Sequence, residues 1–326
     1  MVREGPTATT LTQPATERSW HVTSRRVGFI GLGYMGGRMA RRLTSAGCEV
    51  LGYDPVAGKA AAAGAIPADS VADAVTGGTC VLMSLPDSSV IEQVVLGPAG
   101  VLESCRPGQV IVDLSTAAPS STVRLHAVLA ERGAEYLDAG ISGGAAAAER
   151  GTLTIMVGGA ETALQSVAGV LEPLAAKVVY MGASGAGHTT KVLNNFLNAV
   201  SLAATAEVMV AARLAGLDLA RLLEVINASS GVNFATLQRF PHIIRGDYLE
   251  GGLTSALMTK DIVLYADCLR ELGAPSLLAS GPLAAFGLAN SLGYTDQISN
   301  KVVDAIGDLA GGVRLYDPDS DGSKGR

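Results

Sequence analysis

The sequence predicts an α/β fold: a doubly wound, mostly parallel sheet, then one long helix, then an all-α C-terminal domain. Three observations lead to this prediction. Short apolar runs alternate with helical patterns up to about residue 181, which is typical of repeated βα units. A helical pattern then continues to about residue 215, too long for a strand, and Gly216 follows it as glycine often follows a helix end. Beyond this point every periodic segment is helical.

The predicted elements follow in chain order. Strands are predicted at 26–30, 48–53, 80–85, 110–114, 135–138, 153–157 and 178–181, with helices at 56–63, 88–96, 120–132 and 161–171. The C-terminal helices are predicted at 218–229, 233–244, 255–272, 276–291 and 299–310. Glycine and proline separate several of them, because both residues disfavour helix interiors.

Four segments result from this reading. We expect a disordered tail at 1–24, a dinucleotide-binding domain at 25–187, a helical substrate and dimerisation domain at 188–312, and a polar tail at 313–326. The helix at 188–215 would join the two domains. It is apolar, but Glu207 and Arg213 argue against a membrane span.

Composition narrows the function classes. The 326 residues are 48% hydrophobic and 17% charged, as in soluble globular proteins, and the net charge of −6 includes no basic run. Nucleic acid and anionic membrane are therefore poor candidate partners. The four cysteines show no metal-ligand spacing, so we expect reduced thiols, no metal site and a cytoplasmic location.

The motif Gly31-Leu32-Gly33-Tyr34-Met35-Gly36 directly follows the first predicted strand and precedes a helix. In this context the first glycine permits a tight turn, the second lets a pyrophosphate approach the backbone, and the third lets helix and strand pack closely. The phosphates would bind N–H groups at the helix N-terminus. The motif predicts a Rossmann-type dinucleotide site; the alternative is a glycine-rich turn in another βα unit.

Asp54 ends the second predicted strand, about 20 residues beyond the glycines, where an acid can accept hydrogen bonds from the adenosine ribose. A carboxylate there repels a 2′-phosphate, so NAD is favoured. Pro55 removes a place for a phosphate-binding arginine, whereas Lys59 partly offsets the preference and leaves NADP open. The alternative interpretation of Asp54 is a helix N-cap.

Polar or turn segments follow three of the predicted strands, at the ends where ligands of parallel sheets bind. They are Leu85-Pro86-Asp87-Ser88, Ser115-Thr116 and Asp138-Ala139-Gly140-Ile141-Ser142-Gly143-Gly144. In the third, two glycines after a serine can present consecutive N–H groups and a hydroxyl to a carboxylate. The alternative is a plain loop.

The long helix carries Lys191, Asn194, Asn195 and Asn198 at spacings that place them on one face. Such a face indicates a wet cleft or a ligand, although a solvated stripe would give the same pattern. Hydride transfer to a carbonyl needs a proton for the developing alkoxide, and an ammonium near the carbonyl supplies charge and proton. His188 is expected to shape the helix start instead.

Four blocks together resemble the β-hydroxyacid dehydrogenases, the group of 3-hydroxyisobutyrate dehydrogenase, tartronate semialdehyde reductase and glyoxylate/succinic semialdehyde reductase. More distantly the chain is similar to 6-phosphogluconate dehydrogenase. The blocks are the glycine motif from Gly31, the segment from Asp138 with Gly151-Thr-Leu-Thr-Ile-Met-Val-Gly-Gly, the segment Gly185-Ala-Gly-His-Thr-Thr-Lys-Val-Leu-Asn-Asn, and Lys260-Asp261. The resemblance covers about residues 27–310.

The resemblance implies roles for individual residues. Lys191 would be the catalytic lysine and Asn195 its hydrogen-bonding neighbour. The resemblance also implies that the substrate carboxylate binds Ser142, Gly143 and Gly144, and that Asp261 shapes the substrate cleft. The implied cofactor contacts are Leu85, Pro86, Thr116 and Lys260. Of these, Thr116 would lie near both the nicotinamide and the substrate. Two departures stand out: Gly140-Ile141 replaces the usual Pro-Val, which would loosen that loop, and Leu253 stands about where an aromatic residue often closes the pocket.

The sequence therefore predicts an oxidoreductase that moves a hydride between NAD(P) and a short-chain 3-hydroxyacid or its semialdehyde. The alternatives are an imine reductase-like enzyme on the same fold and a non-enzymatic scaffold that kept the fold. Relatives form dimers and tetramers, so the resemblance implies a homodimer or homotetramer.

Overall fold

The computed structural model describes residues 26–249 and 251–316. The predicted tail at 1–24 and most of the tail at 313–326 lie outside these ranges. The chain divides into two compact units that meet between Val192 and Leu193, here called the sheet unit and the helical unit. The domain boundary at 187/188 stays a prediction.

Within the described ranges the sheet has eight strands, and its mostly parallel character is confirmed. They are β1 Arg26–Ile30, β2 Glu49–Tyr53, β3 Ile66–Pro67, β4 Cys80–Met83, β5 Val110–Asp113, β6 Glu135–Ser142, β7 Leu153–Gly158 and β8 Ala175–Gly182. Their spatial order is β3-β2-β1-β4-β5-β6-β7-β8, and only the β6–β7 pair is antiparallel. The order reverses between β1 and β4, the switch point at which doubly wound sheets bind ligands.

Helices cover both faces of this sheet. They are α1 Gly36–Ser45, α2 Lys59–Ala62, α3 Val71–Gly77, α4 Ser88–Leu96, α5 Val101–Ser104, α6 Pro119–Glu131, α7 Gly144–Arg150 and α8 Glu161–Leu171. Successive strand residues point to opposite faces, so Val81 and Leu82 of β4 belong to two different buried clusters. Both side chains are fully buried, which places the central strands between two apolar layers.

The sequence prediction was wrong about the end of β6. The strand was predicted to end at Asp138, but it continues to Ser142 and pairs Ala139 with Val157 and Ile141 with Ile155. Gly140-Ile141 is therefore not a loosened loop. The elements β3, α3, α5 and α7 were missed because they are two to seven residues long, too short for a periodic signal.

The last helices form the all-α part of the chain, as predicted. They are α9 Ala186–Leu214, α10 Leu219–Asn227, α11 Phe234–Gln238, α12 Phe240–Ile243, α13 Ser255–Leu272, α14 Ser280–Ala289 and α15 Val302–Leu309. The single helix predicted at 233–244 is broken at Arg239, two residues before Pro241, which cannot donate a helical hydrogen bond. Leu315, within the predicted polar tail, is only 4% exposed and packs into the core of the helical unit.

Helix α9 is long and apolar enough to cross a membrane by length and composition, with a mean hydropathy of 1.3 over its most apolar 18-residue window. In the structure 56% of that window is buried. This burial, together with Glu207 and Arg213, favours a core helix over a membrane span.

Candidate active site

The glycine motif forms a tight turn after β1. Gly31 has a φ of +87°, and a Cβ there would lie 2.3 Å from the carbonyl oxygen of Ser84. A Cβ on Gly36 would lie 1.9 Å from the carbonyl oxygen of Gly31. Both positions therefore require glycine, and the close approach of α1 to the turn fits the expected dinucleotide geometry.

Gly33, between them, has open space where a Cβ would stand. This is the point at which a pyrophosphate would approach the backbone in front of α1, whose first N–H groups have no partner within the helix. The Leu32 N–H donates to Asp54 Oδ2 at 2.8 Å, and the Val56 N–H donates to Asp54 Oδ1 at 2.9 Å. Asp54 thus connects the ends of β1 and β2. It is not the N-cap of α2, which is Gly58.

An open cleft lies beside this turn. Its lining residues are Leu32, Gly33, Tyr34, Gly37, Arg38, Arg41, Lys59, Ala62 and Ala63. Three of them are cationic, whereas the sequence had pointed only to Lys59. Arg38 donates to Glu149 Oε1 at 2.8 Å and stacks over the ring of Tyr34, while Arg41 donates to the carbonyl oxygen of Ala62. The positive charge of this cleft suits a phosphate.

The residues after β4 and β5 lie side by side at the same edge of the sheet. The Leu85 N–H donates to Ser115 Oγ at 2.9 Å, and the Ser115 N–H donates to Asp113 Oδ1. Pro86 is exposed and Thr116 is partly buried. The predicted cofactor contacts Leu85, Pro86 and Thr116 are thus brought together by the parallel β4–β5 pair.

One face of β6 carries three residues of the candidate site. Asp138, Gly140 and Ser142 alternate along the strand and so point to the same side. A Cβ on Gly140 would lie 2.5 Å from Lys191 Cβ, so the stem of the lysine packs directly against the backbone of β6. Ser142 is the next residue on this face. Lys191 and Ser142, distant in the sequence, therefore lie along the same face of β6.

Asp138 holds the start of α9. Its Oδ1 accepts the N–H of Gly185 and its Oδ2 accepts the N–H of His188, both at 2.8 Å. The carboxylate is fully buried, and a negative charge at a helix N-terminus is favourable. A Cβ on Gly187 would lie 2.3 Å from the carbonyl oxygen of Asp138. The first turn of α9 is therefore fixed against β6, which sets the position of Lys191 one turn later.

His188 is fully buried and takes a structural position, as expected. Its Nδ1 lies 2.7 Å from Thr122 Oγ1, and its Nε2 lies 3.9 Å from Asp113 Oδ2. Tyr136 donates to the same carboxylate at 2.7 Å, and burial, with the neighbouring Asp113 charge, raises the pKa of Tyr136 well above its usual range. Neither ring is exposed to a substrate, which leaves Lys191 as the candidate proton donor.

Ser142, Gly143 and Gly144 mark the passage from β6 into α7. Gly143 is the residue before the helix, with a φ of +128°, and Gly144 has a φ of +69°. Both glycines are exposed and Ser142 is partly buried. Two consecutive positive φ values, which only glycine adopts readily, turn the backbone here and leave its N–H groups accessible to an anion.

In the helical unit, Asn195 and Asp261 form a buried pair. Asn195 Nδ2 donates to Asp261 Oδ2 at 2.6 Å, and Lys260 Nζ lies 3.2 Å from Asp261 Oδ1. Asn195 is 6% exposed and Asp261 is 2% exposed. The carboxylate therefore fixes the orientation of the amide. It joins three residues that the sequence had assigned to different roles: Asn195 to catalysis, Asp261 to the substrate cleft and Lys260 to the cofactor.

Sequence reasoning missed the roles of Asp138 and Gly140, and it did not consider Gly187 separately. The available signal was the alternation of Asp138, Gly140 and Ser142, which is a strand pattern rather than a loop pattern.

Within the residues that the structure describes, no group of three side chains could hold a metal ion. No disulfide joins the four cysteines, all of which lie in the described ranges, and burial, with nearby Cys48, raises the pKa of Cys80 to about 12.

Comparison with known families matches both units. A family model described as the NAD binding domain of 6-phosphogluconate dehydrogenase matches residues 26–182. A second, described as the NAD-binding domain of NADP-dependent 3-hydroxyisobutyrate dehydrogenase, matches residues 185–305.

Individual relatives cover most of the chain. A 2-(hydroxymethyl)glutarate dehydrogenase of Eubacterium barkeri is 35% identical over 84% of this chain and 92% of its own length. An NAD-dependent L-serine dehydrogenase of Pseudomonas aeruginosa is 36% identical over 84% of this chain and 95% of its own. Among solved structures, Mycobacterium tuberculosis 3-hydroxyisobutyrate dehydrogenase with L-serine has a TM-score of 0.79 at 32% identity, covering 87% of this chain and 99% of that one.

Proposed function

The chain belongs to the 3-hydroxyisobutyrate dehydrogenase family of β-hydroxyacid dehydrogenases, NAD(P)-dependent enzymes acting on CH–OH groups, and on this premise we propose the finer assignment that follows. The protein oxidises a short 3-hydroxyacid, or reduces the matching semialdehyde, with Lys191 as general acid and base. It prefers NAD(H).

The observation that carries this proposal is the shared face of β6. Asp138 fixes the first turn of α9, Gly140 admits the stem of Lys191, and Ser142 follows on the same side. The proposed proton-donating amine and the proposed carboxylate-binding hydroxyl thus lie along one strand. A reacting alcohol carbon near the amine and a carboxylate at Ser142, Gly143 and Gly144 match the two functional groups of a 3-hydroxyacid.

The residues of the glycine motif and Asp54 would hold the dinucleotide, with Leu85, Pro86, Thr116 and Lys260 as further contacts. When bound, NAD(P) supplies the acceptor or donor of the hydride. Lys191 Nζ takes the hydroxyl proton during oxidation and returns it to the alkoxide during reduction, which typically contributes about 10²- to 10⁴-fold to the rate. Asn195, oriented by Asp261, accepts or donates a hydrogen bond without competing for this proton.

The named substrates of the relatives support the choice of substrate class. L-Serine and 2-(hydroxymethyl)glutarate are both acids that carry a CH₂OH group next to the carbon bearing the carboxylate. An ammonium suits the alkoxide formed from such alcohols, so we favour this chemistry over imine reduction. The family consists of enzymes, which disfavours the scaffold alternative.

The preference for NAD rests on Asp54, whose carboxylate lies at the end of β2 and would repel a 2′-phosphate. Arg41 and Lys59 in the adjacent cleft act in the opposite direction and keep NADP usable. We further propose a cytoplasmic homodimer or homotetramer. Exposed apolar side chains on α9, including Leu197 at 66% and Val208 at 48% exposure, supply a surface that association would cover.

The test of this proposal is Lys191→Ala. Turnover of 3-hydroxyacids should fall by about 10³-fold or more, because the variant lacks the amine that we propose exchanges the proton. Affinity for NADH, measured by fluorescence titration, should change by less than about threefold, since the lysine acts on the substrate. Lys177→Ala, at an exposed position in β8, is the matched control and should behave like the parent protein. A parallel loss of NADH binding in Lys191→Ala would contradict the role.

A further inference from the structure

Arg38 is a cation in the first turn of α1, directly behind the glycine motif. The positive end of a helix dipole lies at its N-terminus, so anions are favoured there and cations are not. The first turn of α1 contains no acidic residue, and Met35, the residue before the helix, makes no side-chain capping hydrogen bond. The helix start and Arg38 therefore both favour an anion at this position.

The guanidinium of Arg38 is folded back over the glycine motif, because helical side chains lean towards the N-terminus of their helix. Its Nη1 donates to the carbonyl oxygen of Tyr34 at 2.8 Å, and the guanidinium carbon lies 3.8 Å from the centre of the Tyr34 ring. Arg38 also lines the open cleft beside Gly33, where a Cβ would meet open space. The cation thus borders the point at which a pyrophosphate would approach the backbone.

Glu149 is the carboxylate recorded beside Arg38. Its Oε1 accepts a hydrogen bond from Nε at 2.8 Å, but the Glu149 side chain is 53% exposed. An ion pair this exposed contributes little, because water and salt screen it. The bonds to Glu149 and Tyr34 use two of the five N–H donors of the guanidinium. The other donors can form charge-assisted hydrogen bonds with a phosphate, which the planar guanidinium suits.

Two further cations line the same cleft but border a different part of it. Arg41 lies one turn further along α1 and donates to the carbonyl oxygen of Ala62 at the end of α2, and Lys59 begins α2. Helix α2 follows β2, which ends next to Asp54, the residue expected at the adenosine ribose. Arg41 and Lys59 therefore lie towards the adenosine, and Arg38 lies towards the glycine motif.

We infer that Arg38 binds the pyrophosphate of the dinucleotide. It adds a side-chain ligand and a full positive charge to the backbone N–H groups of the glycine motif. Arg38 and the motif both lie in the sheet unit, so this site is complete within one compact body. The inference rests on the cofactor part of the proposed function and is independent of the acid and of Lys191.

The experiment compares ligands with and without the phosphates. Adenosine, ADP and NADH are titrated calorimetrically into the parent protein and into Arg38→Met, which keeps the apolar stem on Tyr34 and removes the charge. The affinities for ADP and NADH should fall by roughly 10- to 100-fold, the range expected for hydrogen bonds to a charged group. The affinity for adenosine should stay within about threefold, because adenosine carries no phosphate. Arg38→Gln provides the same test if the methionine variant does not fold.

The controls separate a phosphate contact from the ion pair and from net charge. Glu149→Ala breaks the ion pair and should change the affinities for ADP and NADH by less than about threefold, because exposed pairs contribute little. Arg150→Ala removes a cation at an exposed position of α7 and should behave like the parent protein. NADPH should lose the same factor as NADH in Arg38→Met, since the two cofactors share the pyrophosphate.

Unchanged affinities for ADP and NADH in Arg38→Met overturn this inference and leave the proposed function intact. A loss confined to NADPH would assign Arg38 to the 2′-phosphate, and an equal loss in Glu149→Ala would assign it to the ion pair; either result contradicts the inference. A matching loss of adenosine affinity would show a disturbed turn instead of a missing phosphate contact. Failure of the parent protein to bind NADH and NADPH overturns both this inference and the proposed function.

Discussion

At the scale of one residue, Gly140 lets the stem of Lys191, the proposed catalytic lysine, pack against β6. It lies within β6, buried, with the stem of Lys191 directly above its Cα. Any side chain here would meet Lys191 Cβ, which cannot rotate away as the end of a flexible side chain can. Gly140 thus allows the lysine stem to approach the strand closely. The difference between Gly140-Ile141 and the usual Pro-Val of the family therefore lies next to Lys191.

We predict that Gly140→Ala lowers kcat by roughly 10- to 100-fold, because a displacement of the lysine by a fraction of an ångström misaligns the proton transfer. NADH affinity should stay unchanged, since Gly140 packs against Lys191 and not against the glycine motif. The measurement is steady-state kinetics together with NADH titration. Ile141→Val, on the opposite face of β6, is the control and should retain activity. An unchanged kcat in Gly140→Ala would show that the lysine does not need this contact.

Asp54 is the second residue whose role can be tested separately from the fold. Its two oxygens accept N–H groups of Leu32 and Val56, so removing the side chain would also disturb the turn. Asp54→Asn keeps one acceptor oxygen and removes the charge. We predict that the NAD over NADP preference in kcat/KM falls by about tenfold or more, because a like-charge repulsion of that size is lost.

The control for this prediction is Asp69→Asn, at an exposed position of the same unit. Its cofactor preference should equal that of the parent protein. Equal NAD over NADP preference in Asp54→Asn and the parent protein would mean that Asp54 does not set the cofactor choice. Arg41 and Lys59 would then be the next residues to substitute.

At the scale of elements, the start of α9 is the junction on which the site depends. Gly187 lies where a Cβ would meet the carbonyl oxygens of Asp138 at 2.3 Å and Met156 at 2.4 Å, both backbone atoms that cannot yield cheaply. Asp138 caps the same turn with both carboxylate oxygens. The helix is thereby anchored to β6 and β7 before it continues past Val192 into the helical unit.

We predict that Gly187→Ala lowers the free energy of unfolding by about 3 kcal/mol or more, as overpacking against backbone does. Gly287→Ala is the matched control: this glycine lies inside α14 with open space around its Cα, so alanine should stabilise by about 0.5–1 kcal/mol. Denaturant unfolding of both variants measures the two effects. A stable, fully active Gly187→Ala protein would show that α9 is not anchored in this way.

At the scale of the whole molecule, the exposed surface of α9 bears on association. Helix α9 exposes an apolar stripe that includes Leu193, Leu197 and Val208, at 41%, 66% and 48% exposure. These side chains recur at helical spacing on one side of the helix. Contiguous exposed apolar patches of this kind often mark the surfaces through which proteins associate.

We predict a dimer or tetramer by light scattering coupled to size-exclusion chromatography. Leu197→Glu should shift the mass towards the monomer, because a charge would be buried without a partner in the interface. Leu309→Glu replaces a leucine that is 70% exposed on α15 and should not change the mass. A monomeric parent protein would refute the proposed assembly.

Much of the architecture could be predicted from local pattern alone. The glycine motif, the alternation of short apolar runs and helices, and the long helix before an all-α region each depend on neighbouring residues. Helix α13 was predicted with the bounds that the structure has, 255–272, since its apolar periodicity and its flanking Thr254 and Gly273 are all local signals. The break at Arg239 was missed because a helical pattern continues on both sides of it.

The sequence by itself determined the order of the chemical groups: a dinucleotide turn, a serine with two glycines, a lysine with amides on one helix face, and a lysine–aspartate pair. Only the tertiary structure decided that β6 runs on to Ser142, that Asp138 caps α9 and that the stem of Lys191 packs against Gly140. It also decided that the Arg239 guanidinium donates to the side-chain oxygens of Asn198 and Asn300. The reason is physical. Strand pairing, helix capping and the desolvation of a charge depend on atoms separated by tens of residues along the chain, and no local pattern encodes those distances.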